Sequence, residues 1–304
     1  MARDSSGDCV FFDRSIGGLC LVHRDMGVEA LPSACRHFPR RVLHDARGTM
    51  ISLSHFCPTA AATLLSAAPL SIVEAHPPLR LDSAMEGLDA SEALPPLLRP
   101  GLLCDIAGYD AWERAGIATL ACPDRGYEAC LAEIASATDA IYDWKPGREP
   151  LTSRIARAFG ETRAGSPHAA SDHDDALARL RSLTQGRVDE DLAPIADFDK
   201  EWDRVARPHS DWFERGMKNY LAARLFGNWI AYQGRGLRSI VEWLRTSAEV
   251  MRHFLVRRRL ELERPIGQTE FIESVRSADL LLLHVLDSAA FARQTATIEE
   301  ANHG

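Results

Sequence analysis

Apolar residues along this chain come first in short runs broken by turns and later at helical spacing. Between residues 9 and 57 the runs are brief: Cys9-Val10-Phe11-Phe12, then Leu19-Cys20-Leu21-Val22-His23 after the turn-forming Gly17-Gly18. Two more, Arg41-Val42-Leu43-His44 and Met50-Ile51-Ser52-Leu53, flank Asp45-Ala46-Arg47-Gly48. The pattern predicts extended pairs, the second a hairpin closed by a four-residue loop with its glycine near the left-handed region. Pro58 suits a first helical turn, and Thr59 to Ala67 has the Ala and Leu content of a short helix.

From Pro69 to Pro100 prolines cluster and periodicity fades, which predicts a long surface connection. Order resumes over 101–117, where Tyr109-Asp110-Ala111-Trp112-Glu113 reads as the start of a helix. Three- and four-residue steps of Cys130, Leu131, Ile134 and Ile141 predict a helix over 127–142, and Leu151 to Phe159 predicts another. Residues 160–175, rich in Gly, Ser, His and Asp, read as a flexible linker. Trp212 to Trp229 supplies a further long helix through Met217, Tyr220, Leu221 and Leu225. After Gly236, the residues Leu237, Ile240, Val241, Leu244, Ala248, Met251 and Leu255 make one apolar face. Phe271, Ile272, Val275, Leu282, Val285, Leu286 and Ala289 make another, with Thr269 as its expected N-cap. The fold class is therefore mainly α: a bundle-like helical body over 101–304, a Pro-rich connection over 69–100, and a small cysteine-rich module with short β-hairpins over 1–68.

Composition narrows the function classes. A chain of 304 residues, 46% hydrophobic, can bury a sizeable core. Its net charge of −8 argues against nucleic acid as a partner, and Arg257-Arg258-Arg259 reads as a solvated helix end. The opening Met1-Ala2-Arg3-Asp4-Ser5-Ser6-Gly7-Asp8 lacks the apolar core of a secretory signal, and no run approaches the roughly 18 apolar residues of a membrane span. A cytoplasmic protein is expected, with no membrane partner. In a reducing compartment cysteines serve as apolar fillers, metal ligands or redox groups more than as disulfides, and seven is an odd number.

Four of the seven, Cys9, Cys20, Cys35 and Cys57, crowd into the first 57 residues. Their thiolates suit a tetrahedral zinc site or an iron–sulfur cluster, and ligand number does not choose between the two. With no Cys-x-x-Cys pair among them, spacing alone also leaves four buried free thiols open. The flanks say more. Cys35-Arg36-His37-Phe38-Pro39-Arg40 and Ser52-Leu53-Ser54-His55-Phe56-Cys57-Pro58, together with Cys9-Val10-Phe11-Phe12 and Gly18-Leu19-Cys20-Leu21-Val22-His23, resemble the bacterial cysteine-cluster family of zinc- or iron-chelating proteins. Within it they look most like the flagellin lysine-N-methylase branch. The family's usual further cysteine-dense motif has no counterpart in the eight residues before Cys9.

That resemblance implies Cys9, Cys20, Cys35 and Cys57 as metal ligands, and a protein-lysine N-methyltransferase using S-adenosylmethionine on a flagellin-like protein substrate. The alternative is a non-catalytic structural or interaction protein whose cysteines bind a structural zinc. Arg36 and Arg40 read as surface ion pairs or as partners of thiolate charge, and His37 and His55 as hydrogen-bonded neighbours or substitute ligands. Cys104, Cys122 and Cys130 read as core residues, His168 and His173 as part of the linker, His253 and His284 as bundle or surface residues. Asp105, Tyr109, Trp112 and Glu113 read as a helix cap with a packed aromatic. The chain carries no Gly-x-Gly-x-x-Gly after a strand, Walker loop, Gly-x-Ser-x-Gly, His-Glu-x-x-His or radical-type Cys-x-x-x-Cys-x-x-Cys.

Overall fold

Short strands and short helices alternate up to Leu103 and long helices follow in the computed structural model, which describes residues 9–13, 19–76, 87–161, 172–206 and 211–302. β1 (Phe12–Asp13) pairs antiparallel with β2 (Leu19–Cys20), Phe12 opposite Cys20. The extended run expected to reach His23 turns helical instead: α1 (Leu21–Met26) begins directly after Cys20. It stops at Gly27, whose φ of +83° suits a residue without a Cβ and whose N–H returns to the His23 carbonyl. A 3-10 turn at Val28–Ala30 leads to α2 (Ser33–His37).

β3 (Arg40–Asp45) and β4 (Gly48–Leu53) form the expected hairpin with Val42 opposite Ile51. Because Asp45 pairs with Gly48, the loop is the two residues Ala46-Arg47, shorter than the predicted four. α3 (Pro58–Thr63) starts with proline at its first turn and ends before Ala67. The stretch read as a surface connection is partly structural. β5 (Gly87–Asp89) runs parallel beside β3, giving the order β4-β3-β5, and β6 (Leu97–Arg99) pairs with β7 (Leu102–Leu103). Gly87 is required there, since a Cβ would lie 2.9 Å from the Val42 carbonyl oxygen. Ala90 and Leu98 are buried, and residues 77–86 of the connection lie outside the described residues.

The body is helical throughout: α4 (Ile106–Leu120), α5 (Tyr127–Ala140), α6 (Leu151–Glu161), α7 (His173–Leu183), α8 (Phe198–Ala206), α9 (Asp211–Leu225), α10 (Ile230–Gln233), α11 (Leu237–Leu262), α12 (Gln268–Asp279) and α13 (Ser288–Asn302). Asp105 caps α4 by accepting the Gly108 N–H, as expected. α11, 26 residues and so about 39 Å long, is the axis. Its predicted face from Leu237 to Leu255 is buried, and Trp243, Val250, Phe254 and Val256 are buried as well. The helix is therefore enclosed on more sides than an amphipathic stripe requires, with α5, α7, α8, α9, α12 and α13 packed around it. Among the described residues no helix is long and apolar enough to cross a membrane.

Three departures have local causes. The helix predicted to Trp229 stops at Leu225 because Gly227 takes a φ of +59°, and Asn228 Oδ1 then accepts the Ile230 N–H to start α10. The helix predicted over 269–289 is α12, a π-helical turn (Leu280–Val285) and α13. Its N-terminus is closed by Glu270 accepting the Gly267 N–H, not by Thr269, and its break falls where Leu286 is extended and Asp287 accepts the Ala289 and Ala290 N–H groups. Of the predicted linker, 162–171 with His168 lie outside the described residues, while Asp172 caps α7 by accepting the Asp174 and Asp175 N–H groups.

His173, assigned to the linker by its neighbours in sequence, belongs to the body. Its ring stacks on Phe198 at 3.5 Å and its Nδ1 meets Glu249 at 2.9 Å. Beside it His253 is 1% exposed and shares a hydrogen bond through Nε2 with the Asp191 carbonyl. Burial, reinforced by the neighbouring His173, Arg257 and Arg181 charges, pushes the His253 pKa from 6.5 down to about 4. The unfolded chain thus takes up this proton at higher pH than the folded chain. The contribution of His253 to stability is therefore expected to be full above pH 6.5 and to be lost as the pH falls from there to about 4, by about 3 kcal/mol. Urea titrations across that window should show the loss, and His253→Gln should flatten it.

Candidate metal centre and the buried network behind it

The four N-terminal thiols come from four different local structures. Cys9 accepts the Phe12 N–H through its carbonyl, and Cys20 lies opposite Phe12 and immediately precedes α1, so the small hairpin carries both. Cys35 is in α2, positioned by its N–H to the Pro32 carbonyl at 2.9 Å. Cys57 is the residue before α3, its N–H on the Ser54 carbonyl and its own carbonyl accepting from Ala61. All four are free and partly exposed. Burial raises the Cys35 thiol above its ordinary pKa, and charge on Cys9 and on Cys20 raises it further, so each of those two acts electrostatically on Cys35. Cys57 makes no such contribution to Cys35.

As a donor set, four free thiols of this kind fit zinc or an iron–sulfur cluster in chemistry. Among the described residues, however, no three His, Cys, Asp or Glu side chains are already arranged as ligands of one ion. The packing around them is thin. Of the apolar side chains near these thiols, Val10, Phe11, Phe12, Met26, Val28 and Phe38 are exposed, Met26 by 71%, and Leu31 is buried. Arg36 Nη2 donates to the Leu31 carbonyl at 3.2 Å and Nη1 pairs with Glu29 at 3.6 Å, so it braces the 3-10 turn.

The Cys57 end is anchored much more firmly. His55, two residues before it, is 2% exposed, and its N–H donates to Asp279 Oδ2 at 2.5 Å. Its Nδ1 lies 3.2 Å from Arg224 Nη2 and 3.4 Å from Asp279 Oδ2, a commitment to the body rather than to a metal. Arg224, on α9, also donates to the Leu53 carbonyl and pairs with Asp279 Oδ1 at 3.3 Å. Both charges are buried, Asp279 completely. Burial opposes the Asp279 charge, but Arg224 and His55 outweigh it and hold the carboxyl below its usual pKa. Tyr220 closes the group, its ring 6.2 Å from that of His55 and 5.6 Å from the Arg224 guanidinium. The π-helical turn that follows Asp279 brings His284 to Ser54 Oγ at 3.0 Å and to the Phe56 ring at 5.9 Å. Arg276 donates to the Phe56 carbonyl.

A second buried cluster fixes the other end of the β3–β4 hairpin. Arg47, in its two-residue turn, reaches Glu113 Oε2 and Asp45 Oδ2, each at 2.9 Å, and lies 4.6 Å over the Tyr109 ring. Glu113 Oε1 accepts the Gly227 N–H, and Tyr232 donates to Asp45 at 2.7 Å. Burial works against the Arg47 charge, yet Glu113 and Asp45 raise its pKa above the ordinary guanidinium value. Between the two clusters Trp229 donates to the Val42 carbonyl and carries Arg41 at 4.5 Å over its ring.

The residue types of the four cysteines announced themselves in the sequence; Arg224, Asp279 and Arg47 did not. A signal for the first two existed. Each is a charge inside an apolar helical run, Tyr220-Leu221-Ala222-Ala223-Arg224-Leu225 and Ala278-Asp279-Leu280-Leu281-Leu282, and the two are opposite in sign. Cys104 and Cys130 are buried as expected, the Cys104 thiol pushed by burial up to about 12. No family model, curated protein or solved structure matches this chain.

Proposed function

We infer that residues 9–57 form a thiolate metal centre seated on a helical body, with Cys9, Cys20, Cys35 and Cys57 as ligands of a zinc ion or an iron–sulfur cluster. The observation that carries this reading is the mismatch between order and burial around Cys9, Cys20 and Cys35. Cys9, Cys20 and Cys35 are free and partly exposed in a segment whose large apolar side chains are mostly exposed. Such a segment cannot offset its ordering entropy by burial, whereas a structural metal contributes on the order of 10 kcal/mol to folding. When bound, the metal supplies that cross-link; the protein supplies a fixed Cys57 end through His55, Asp279 and Arg224. The resemblance to the flagellin lysine-N-methylase branch extends the reading to methyl transfer from S-adenosylmethionine to lysines of a flagellin-like protein. The exposed Phe11, Phe12 and Phe38 side chains favour a second reading, an interaction protein whose cysteines hold a structural zinc.

Anaerobic purification of the full chain with metal analysis tests the centre. Bound zinc in colourless protein, or brown protein absorbing near about 400 nm, is expected, lost in Cys35→Ser together with amide protection over residues 9–38. Protein free of zinc and iron, with exchange over that segment unchanged by a chelator, overturns it. Labelled donor with flagellin separates the enzyme from the interaction protein: no label leaves only the second.

A further inference from the structure

Outside the N-terminal module, two cysteines meet where α4 gives way to α5. Cys122 is partly exposed in the loop, and Cys130 is fully buried on the first turns of α5. Both reach the same atom: the Cys122 N–H and the Cys130 thiol each lie 3.2 Å from the Thr119 carbonyl oxygen. Arg125 lies three residues further along the same loop, so its positive charge is placed to act on the Cys122 thiol. Lys218 of α9 ties the loop down, its Nζ donating to the Cys122 and Arg125 carbonyls at 2.7 and 3.0 Å. Arg125 also pairs with buried Glu133, which holds the guanidinium in place.

We propose that Cys122 is an oxidation site for hydroperoxides and that Cys130 is its resolving thiol. Partial exposure gives a small oxidant access to Cys122, and the shared Thr119 carbonyl places the buried Cys130 thiol next to it. The Arg125 side chain, followed by the Asp124 backbone, lowers the Cys122 pKa. The thiolate attacks hydrogen peroxide; an S–O bond forms, the O–O bond breaks, hydroxide leaves and sulfur is oxidised by two electrons to the sulfenic acid. Cys130 then attacks that sulfur, its proton leaving with the hydroxyl as water, and an S–S bond replaces the S–O bond. Burial raises the Cys130 pKa while Arg125 and Lys218 oppose the rise, which favours the protonated thiol before oxidation. The disulfide would cross-link the end of α4 to α5, and a thiol reductant would restore both residues.

The full-length wild-type chain is treated with graded hydrogen peroxide, blocked with alkylating reagent and mapped by peptide mass spectrometry, which separates this pair from the four N-terminal cysteines. A Cys122–Cys130 disulfide reversed by dithiothreitol is expected. Cys130→Ser should leave a Cys122 sulfenate that dimedone traps, and Cys122→Ser should leave Cys130 reduced. In unmutated protein at pH 7, alkylation of Cys122 should run about tenfold faster than in the urea-unfolded chain. Cys122 remaining reduced, passing to sulfinate without the disulfide, or alkylating no faster than when unfolded overturns the proposal, whatever the metal content proves to be.

Discussion

Asp279→Leu lowers the unfolding free energy by about 3–5 kcal/mol, read as a fall in the urea midpoint at unchanged slope. The magnitude follows from what is left behind. Arg224 is 3% exposed and has Asp279 as its counter-ion, so deleting the carboxylate strands a charge in the interior. The His55 N–H loses its acceptor at the same time. Pairing the change with Arg224→Met removes the stranded charge, and the double variant should recover a large part of the loss, as buried ion pairs replaced by apolar residues often do. A double variant no more stable than Asp279→Leu would mean that the remaining contacts, His55 and the Leu53 carbonyl, dominate the site. Because His55 precedes Cys57 by two residues, the same variants should raise amide exchange around Cys57 ahead of the rest of the chain.

Glu113→Leu is expected to cost about 3 kcal/mol and to free the tip of the hairpin. Arg47 would keep Asp45 and the longer Asp110 contact at 3.6 Å but lose its tightest partner on the body, and the Gly227 N–H would be buried without an acceptor. The distinctive readout is proteolysis: trypsin should cut after Arg47 in native Glu113→Leu and spare it in the unmutated protein. Glu113→Gln keeps an acceptor for Gly227 and should cost less, about 1–2 kcal/mol. Equal costs for Gln and Leu would show that charge on Glu113, not hydrogen bonding to Gly227, is what holds the tip.

Some of this architecture could be read directly. The β3–β4 pairing follows from two short apolar runs, Arg41-Val42-Leu43-His44 and Met50-Ile51-Ser52-Leu53, on either side of a glycine-containing turn, and α11 from apolar residues three and four apart. α7 and α8 were not legible, because each is short and carries few apolar residues, such as Leu177, Leu180, Trp202 and Val205. β5 escaped because its partner β3 lies more than forty residues earlier and parallel pairing leaves no turn signature. At the site, four cysteines are visible by residue type alone. The network behind them joins Ser54 and His55 to Arg224, Asp279 and His284, a meeting of distant segments that no local window contains.

The two buried clusters together have a mechanical meaning. β4 is pinned at its start, where Arg47 is locked to Glu113, and at its end, where Arg224 grips the Leu53 carbonyl. A beam clamped at both ends does not swing. Displacement arising at Cys57 is therefore shunted past the hairpin, through His55 to Asp279 and through Ser54 to His284. One of those contacts meets the residue just before the π-helical turn and the other a residue within it, so both load paths end at the irregular joint between two regular helices.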